Sequence, residues 1–286
     1  MTLNTDDQRY LRGTEPESAS HYLDIVQHFG KKVTFFVTGR CVEEEPDVIR
    51  QLGGESDVEL GGHTYNAYQP LLMHRLSKHV LGHFMGPRVI QDWSVRTTCS
   101  LLESCMPGSR VVSWRNHAYL SDENTVDCLK RQGIRNYSDM VLADEQPFAE
   151  DDLCIVPINV IPDHEHLYHG SRTEENVGRW AHETQFHDSW GTVSFDGDTW
   201  GDMVIEQTRA LLTQGKVACL LIHPACMEIL DNFRTFRRIM EAFADFPSAT
   251  MAEWGRTFAQ PEKSEHENVQ RMHSKVESRA EPVRAR

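Results

Sequence analysis

The chain has 286 residues, 39% hydrophobic and 25% charged, a make-up that fits a globular protein with one large domain or two small ones. Its formal net charge of −14 repels phosphate backbones and excludes a general nucleic-acid binder. No apolar run approaches the ~20 residues that cross a bilayer, and MTLNTDDQRY has no basic segment followed by an apolar core, so neither a membrane span nor a secretory signal is expected and the cytoplasm is the expected compartment.

Met1 to Thr5 reads as a short strand ending in Asp6-Asp7. A strand that starts at Met1 is abrupt, which leaves open a beginning inside a longer product. Two adjacent carboxylates at a strand end can divide roles, one binding a cation while the other accepts a proton from water. Taken alone, the pair equally describes a helix cap or a solvated turn. Glu15 to Phe29 has helical spacing, with Tyr22, Ile25, Val26 and Phe29 on one face and Gly30 closing it. Val33 to Val37 (VTFFV) is a buried-strand pattern. Pro46 to Leu52 is a helix with proline in its first turn.

Val58 to Leu60 is the next strand, and Gly61-Gly62-His63 follows it. Glycine permits close backbone approach, so His63 is placed to reach a ligand, or else to bond backbone as a core histidine. Leu71 to Phe84 and Val89 to Cys105 are helical, separated by Gly86-Pro87. Arg110 to Trp114 is a strand leading to Arg115, a residue suited to orienting a carboxylate or forming a structural ion pair. Asp122 to Gln132 is a helix that stops at Gly133, and Cys154 to Val160 is a strand.

IPDHEHLYHG follows, with Asp163, His164, Glu165, His166 and His169. Its spacing is not that of the helical HExxH zinc motif. The loop is expected to cover a cleft, with one or two of these residues facing the site. Trp190, Trp200, Asp188, Asp196 and Asp198 form a second polar-aromatic stretch, usable for stacking on sugar rings or for core packing. Asp202 to Leu212 is a helix, Val217 to Ile222 a strand ending at His223, and Ile229 to Phe243 a helix. His223 has the position of an acid able to protonate a leaving amine. Thr250 begins a last short strand or turn, and 259–286 is expected to be a disordered tail behind a domain of residues 1–258. The seven cysteines are scattered, without a CxxC pair, and are expected to be reduced and mostly buried.

Strands alternating with helices argue for a parallel α/β barrel or a doubly wound sheet, where ligands bind at the C-terminal ends of strands. Asp6-Asp7, His63, Arg115 and His223 all fall at such ends.

In this order LNTDD (3–7), VTFFVTG (33–39), DVELGGHT (57–64), SWRNHAY (113–119) and LLIHP (220–224) resemble the motifs of the polysaccharide deacetylase family, over roughly residues 1 to 258. The resemblance implies an α/β fold of the distorted (β/α) barrel type and hydrolysis of a non-peptide C–N amide bond, N-deacetylation of an amino-sugar-containing substrate. By position it makes Asp6 the general base, Asp7 and His63 ligands of a divalent metal, commonly zinc, Arg115 the residue that orients Asp6, and His223 the general acid.

The family's further histidine, four residues after His63, is Ala67 here; Gln8 and Thr5 flank the two aspartates, and Asn116 replaces the usual proline after the arginine. His117, His166 and His169 are candidates for the missing ligand, and with Trp190 for contact with substrate. Metal-independent, allantoinase-like hydrolysis of a small amide and a non-catalytic glycan-binding descendant are the alternatives. The expected partner is a carbohydrate or small amide, with homo-oligomer formation left open.

Overall fold

The structure, a computed structural model, describes residues 1, 6–82, 84–177 and 187–258, with Asp6, Asp7 and Leu81 described by backbone alone. The tail expected over 259–286 and residues 2–5 of the first predicted strand lie outside the described residues.

A six-stranded sheet organises the molecule, in the order β1-β2-β3-β4-β6-β5. Its strands are β1 (Val33–Val37), β2 (Val58–Gly62), β3 (Ser113–Trp114), β4 (Asn136–Tyr137), β5 (Phe148–Glu150) and β6 (Leu153–Ile155). All neighbours are parallel except β5 and β6. Met1 extends the pattern beyond β1: its amino group donates to Phe36 O at 2.5 Å and its carbonyl accepts from Thr38 N at 3.1 Å.

Helix α1 (Glu15–His28) starts with a capping box: Thr14 Oγ1 accepts from Glu17 N, and Glu17 Oε2 accepts from Thr14 N at 2.9 Å. Its apolar stripe of Tyr22, Leu23, Ile25 and Val26 is buried, and Tyr22 stacks on Phe236 with centroids 3.9 Å apart. The predicted helices over 46–52, 71–84, 89–105, 122–132 and 202–212 are present as Pro46–Gly53, Leu71–Leu81, Arg88–Cys105, Glu123–Arg131 and Gly197–Thr213.

The glycines of β2 have a packing reason. A Cβ on Gly62 would lie 2.1 Å from Trp114 Cζ3, and one on Gly61 would lie 2.8 Å from Phe36 Cδ1. Their close approach is therefore to core aromatics rather than to a ligand. It also fixes the register Gly62↔Trp114, which sets His63 and Arg115 side by side one residue later.

Three sequence expectations change. Among the described residues, Val217 to Ile222 forms no strand ladder. It is held beside residue 159: the Asn159 backbone N donates to Cys219 O at 3.4 Å, and its side-chain amide donates to Val217 O at 2.9 Å and accepts from Cys219 N at 2.8 Å. The single helix expected over 229–243 is two, Pro224–Asp231 and Arg234–Ala242, broken where Asn232 and Phe233 adopt φ of 53° and 67°. Burial of Phe233 holds it there against the usual cost of left-handed backbone. Thr250 caps a helix, Met251–Phe258, through reciprocal bonds with Glu253.

Candidate active site

Because β1 to β4 run parallel, their C-terminal ends share one edge of the sheet. His63 follows β2, Arg115 to His117 follow β3, and Ser138-Asp139 follow β4. His63 Nδ1 lies 2.7 Å from Arg115 O. A carbonyl only accepts, so Nδ1 carries the proton and Nε2 keeps its lone pair. The His117 ring stands nearly perpendicular to that of His63, with centroids 5.4 Å apart. Burial first, then the positive groups nearby, hold His63 well below the ordinary histidine pKa. His117 is pushed down to about 4, by burial first and then by His223 and the N-terminal ammonium. Both imidazoles are neutral at neutral pH, the form that binds a metal.

Arg115 is buried and donates from Nε to Ser138 O at 3.0 Å and from Nη2 to Ser138 Oγ at 2.6 Å. Its guanidinium carbon sits 4.6 Å from the centre of the Phe36 ring. Beside it, Asn116 N and Nδ2 each donate to Asp139 at 2.7 Å, and Tyr137 Oη donates to the same carboxylate at 2.5 Å. Burial nevertheless raises Asp139 to about 6. The side chains of Asp6 and Asp7 lie outside the described atoms; their backbone forms the first turn of a short 3₁₀ helix, Asp6–Tyr10.

His223 precedes helix Pro224–Asp231 and is gripped twice by Asp163, which is fully buried at the start of the helical turn Asp163–His166. Asp163 Oδ1 accepts from His223 Nδ1 at 2.7 Å, and Oδ2 accepts from His223 N at 2.6 Å. A buried carboxylate needs such partners to remain ionised. Burial alone would lower the His223 pKa, but the charge and hydrogen bond of Asp163, helped by Glu15 and Glu165, raise it above the ordinary value.

The remaining histidines of that loop lie apart from His63. His166 is fully buried, with Nδ1 2.6 Å from Val193 O and Nε2 2.9 Å from Asp188 Oδ2. Both nitrogens are thus engaged in joining the 163–169 loop to the 188–195 segment, and Phe195 N donating to His166 O completes the joint. Trp190 is half-buried and meets His166 edge-on at 6.1 Å. His169 is buried, with Nδ1 2.8 Å from Leu167 O and Nε2 3.2 Å from Cys226 Sγ. His164 faces His223 with ring centroids 5.3 Å apart.

Sequence reasoning named Asp163 only as a member of the loop and missed Asp139 and Cys226. For Asp163 the signal was its place right after the apolar run ending at Ile161-Pro162. For Cys226 it was the spacing His223-x-x-Cys226 behind a helix-starting proline, which puts both residues on one face. Asp139 had none, because β4 is too short to be read.

Residues 2–98 match the polysaccharide deacetylase family model. No curated protein sequence matches the chain at a significant level. Among solved structures, a Mycobacterium smegmatis protein assigned as a polysaccharide deacetylase superposes with a TM-score of 0.60 at 17% identity, over 89% of this chain and 83% of that one. The Puue allantoinase superposes with a TM-score of 0.56 at 16% identity, over 86% of this chain and 74% of that one. The family match thus covers residues 2–98, including the motifs at 3–7, 33–39 and 57–64, and the chain has the (β/α) barrel fold of these solved structures.

Proposed function

We propose that this chain is a hydrolase that cleaves a non-peptide C–N amide bond, removing the N-acetyl group from an amino-sugar-containing substrate. The observation that carries the reading is the Asp163–His223 pair, whose histidine acts by its charge on His117, itself beside His63 at the sheet edge. A carboxylate bonded to Nδ1 fixes the tautomer and orientation of the ring and stabilises its charged form, the requirements of a general acid.

The family's third ligand position is Ala67, whose methyl ligates nothing. His117 fits in its place. Two imidazoles on one tetrahedral ion hold their centroids about 5 Å apart, and those of His63 and His117 are 5.4 Å apart. Asp7, His63 and His117 would therefore hold a divalent ion, zinc being suited to this nitrogen-rich set. Such an ion, when bound, supplies acidification of water and polarisation of the carbonyl.

The chain's own residues do the rest. Asp6 takes the proton of the attacking water. As the C–N bond breaks, His223 gives its Nε2 proton to the leaving nitrogen, while Asp163 offsets the imidazolium charge beforehand. Acetate and a free amine result. Arg115, fixed by Ser138, is the residue that the family resemblance assigns to orienting Asp6.

A cavity of about 280 Å³ is lined by Thr64, Asn66, Tyr68, Trp93 and Asn116 among others, and neither His63, His117 nor His223 lines it. That is the small end of the ligand-pocket range of about 300–1,000 Å³. Ala67 in place of a ligating histidine favours as a second reading an amidohydrolase acting on a small amide without metal. The test is turnover of N-acetylated sugars and small amides with added divalent ion and with strong chelator. Loss of activity on chelation and its return with the ion supports the deacetylase reading. Activity indifferent to chelator supports the second.

A further inference from the structure

We propose that His164, His223 and Cys226 form a second metal site, built for a thiophilic divalent ion such as zinc and separate from the Asp7–His63 position. One potential ligand atom from each of the three lies within 4.8 Å of the others. His164 comes from the turn Asp163–His166, and His223 and Cys226 flank the start of helix Pro224–Asp231 at a spacing of three, so two elements converge on one point.

The dimensions agree with a tetrahedral ion. Bonds of about 2.3 Å to sulfur and about 2.0–2.1 Å to nitrogen place the two donors roughly 3.6 Å apart. His164 Nδ1 lies 3.9 Å from Cys226 Sγ, and His169 Nε2 lies 3.2 Å from it. The His164 and His223 rings are 5.3 Å apart, near the roughly 5 Å of two imidazoles sharing an ion. Asp163 already holds His223 Nδ1, so Nε2 is the atom presented. A carboxylate behind a histidine in this way fixes the ring and raises its basicity as a ligand. Cys226 is buried, and its thiol gives up a proton to the solvent when it binds as thiolate.

The set has no counterpart in Asp7, His63 or His117, which lack sulfur. It takes the softer ions, whereas the carboxylate-containing position also suits harder ones such as manganese. An ion here uses the same His223 nitrogen that the reaction proposed above needs for its proton, so the two uses exclude each other. That consequence rests on the proposed function; the site itself does not.

The experiment is cobalt(II) titration of the full chain followed by absorption. The parent protein is expected to show a thiolate-to-cobalt charge-transfer band with the strong visible bands of a tetrahedral ion, saturating within the two equivalents that both sites can hold. The charge-transfer band persists in His63→Ala, disappears in Cys226→Ser and Cys226→Ala, and weakens in His164→Ala. Circular dichroism identifies which variants remain folded, and either cysteine variant suffices. A parent that binds cobalt without the charge-transfer band overturns the site. So does a band that survives in the folded cysteine variants or vanishes in folded His63→Ala.

Discussion

Asp163 binds His223 through both carboxylate oxygens, one on the ring Nδ1 at 2.7 Å and one on the backbone N–H at 2.6 Å. The first contact sets the tautomer and the charge; the second anchors the carboxylate so that it cannot turn away. Asp163→Asn keeps at most one of these contacts in the same sense, because an amide nitrogen donates where the carboxylate accepted. The expected result is a kcat lower by ~10²–10⁴-fold with KM changed far less. His223→Ala is expected to lose about as much, and the double variant little more, as measured by initial rates of acetate release.

The same pair sets the pH profile. Asp163 raises the His223 pKa, so the charged acid persists to higher pH than an ordinary histidine at ~6.5. Activity falls as pH rises through that raised value. In Asp163→Asn the alkaline limb of the kcat profile is expected to move to lower pH. A limb that stays in place separates His223 from the proton transfer.

Manganese reports on the ion position without interference from Cys226, since it disfavours thiolate. His117→Ala is expected to weaken manganese binding by ~100-fold or more, read by electron paramagnetic resonance. Unchanged binding would remove His117 from the ligand set.

Gly62→Ala tests the packing that sets the site. A methyl 2.1 Å from the Trp114 ring must displace a buried indole. The expected cost is ~1–3 kcal/mol, with a Tm lower by several degrees, measured by calorimetry.

Asp139 adds a pH-dependent term to stability. Its folded pKa is about 6 against an ordinary 3.8, so the folded state favours the proton. The stabilising contribution is complete below about pH 4 and is lost as pH climbs through about 6. Urea unfolding of the parent protein between those limits is expected to show this decline relative to Asp139→Asn. Parallel curves for the two proteins would contradict the raised value.

The sequence was most legible where local physics and fold agree. VTFFV gave β1, and the capped stripe of 15–28 gave the first helix, because burial follows directly from their periodicity. Two-residue strands such as β4 carry no period to read, so Asp139 stayed hidden. Val217 to Ile222 has the composition of a strand, and among the described residues its contacts are with Asn159, distant in sequence, through both backbone and side chain. The histidine loop showed its chemistry but not its division of labour. Asp163 turns toward His223, His166 toward Asp188, and His169 toward Cys226, and tertiary contacts alone decide among them.

The activity proposed for His63, His117 and the Asp163–His223 pair is hydrolysis of an N-acetyl amide. Its most direct test is acetate release from N-acetylglucosamine oligomers and small acetylated amines, with protein supplied with manganese, which disfavours thiolate and leaves His223 to the reaction, beside Asp6→Asn and His223→Ala. The account predicts turnover by the parent protein that falls at least ~10²-fold in each variant while circular dichroism is unchanged. Turnover that survives in both variants, or a parent inert on every acetylated substrate, contradicts it.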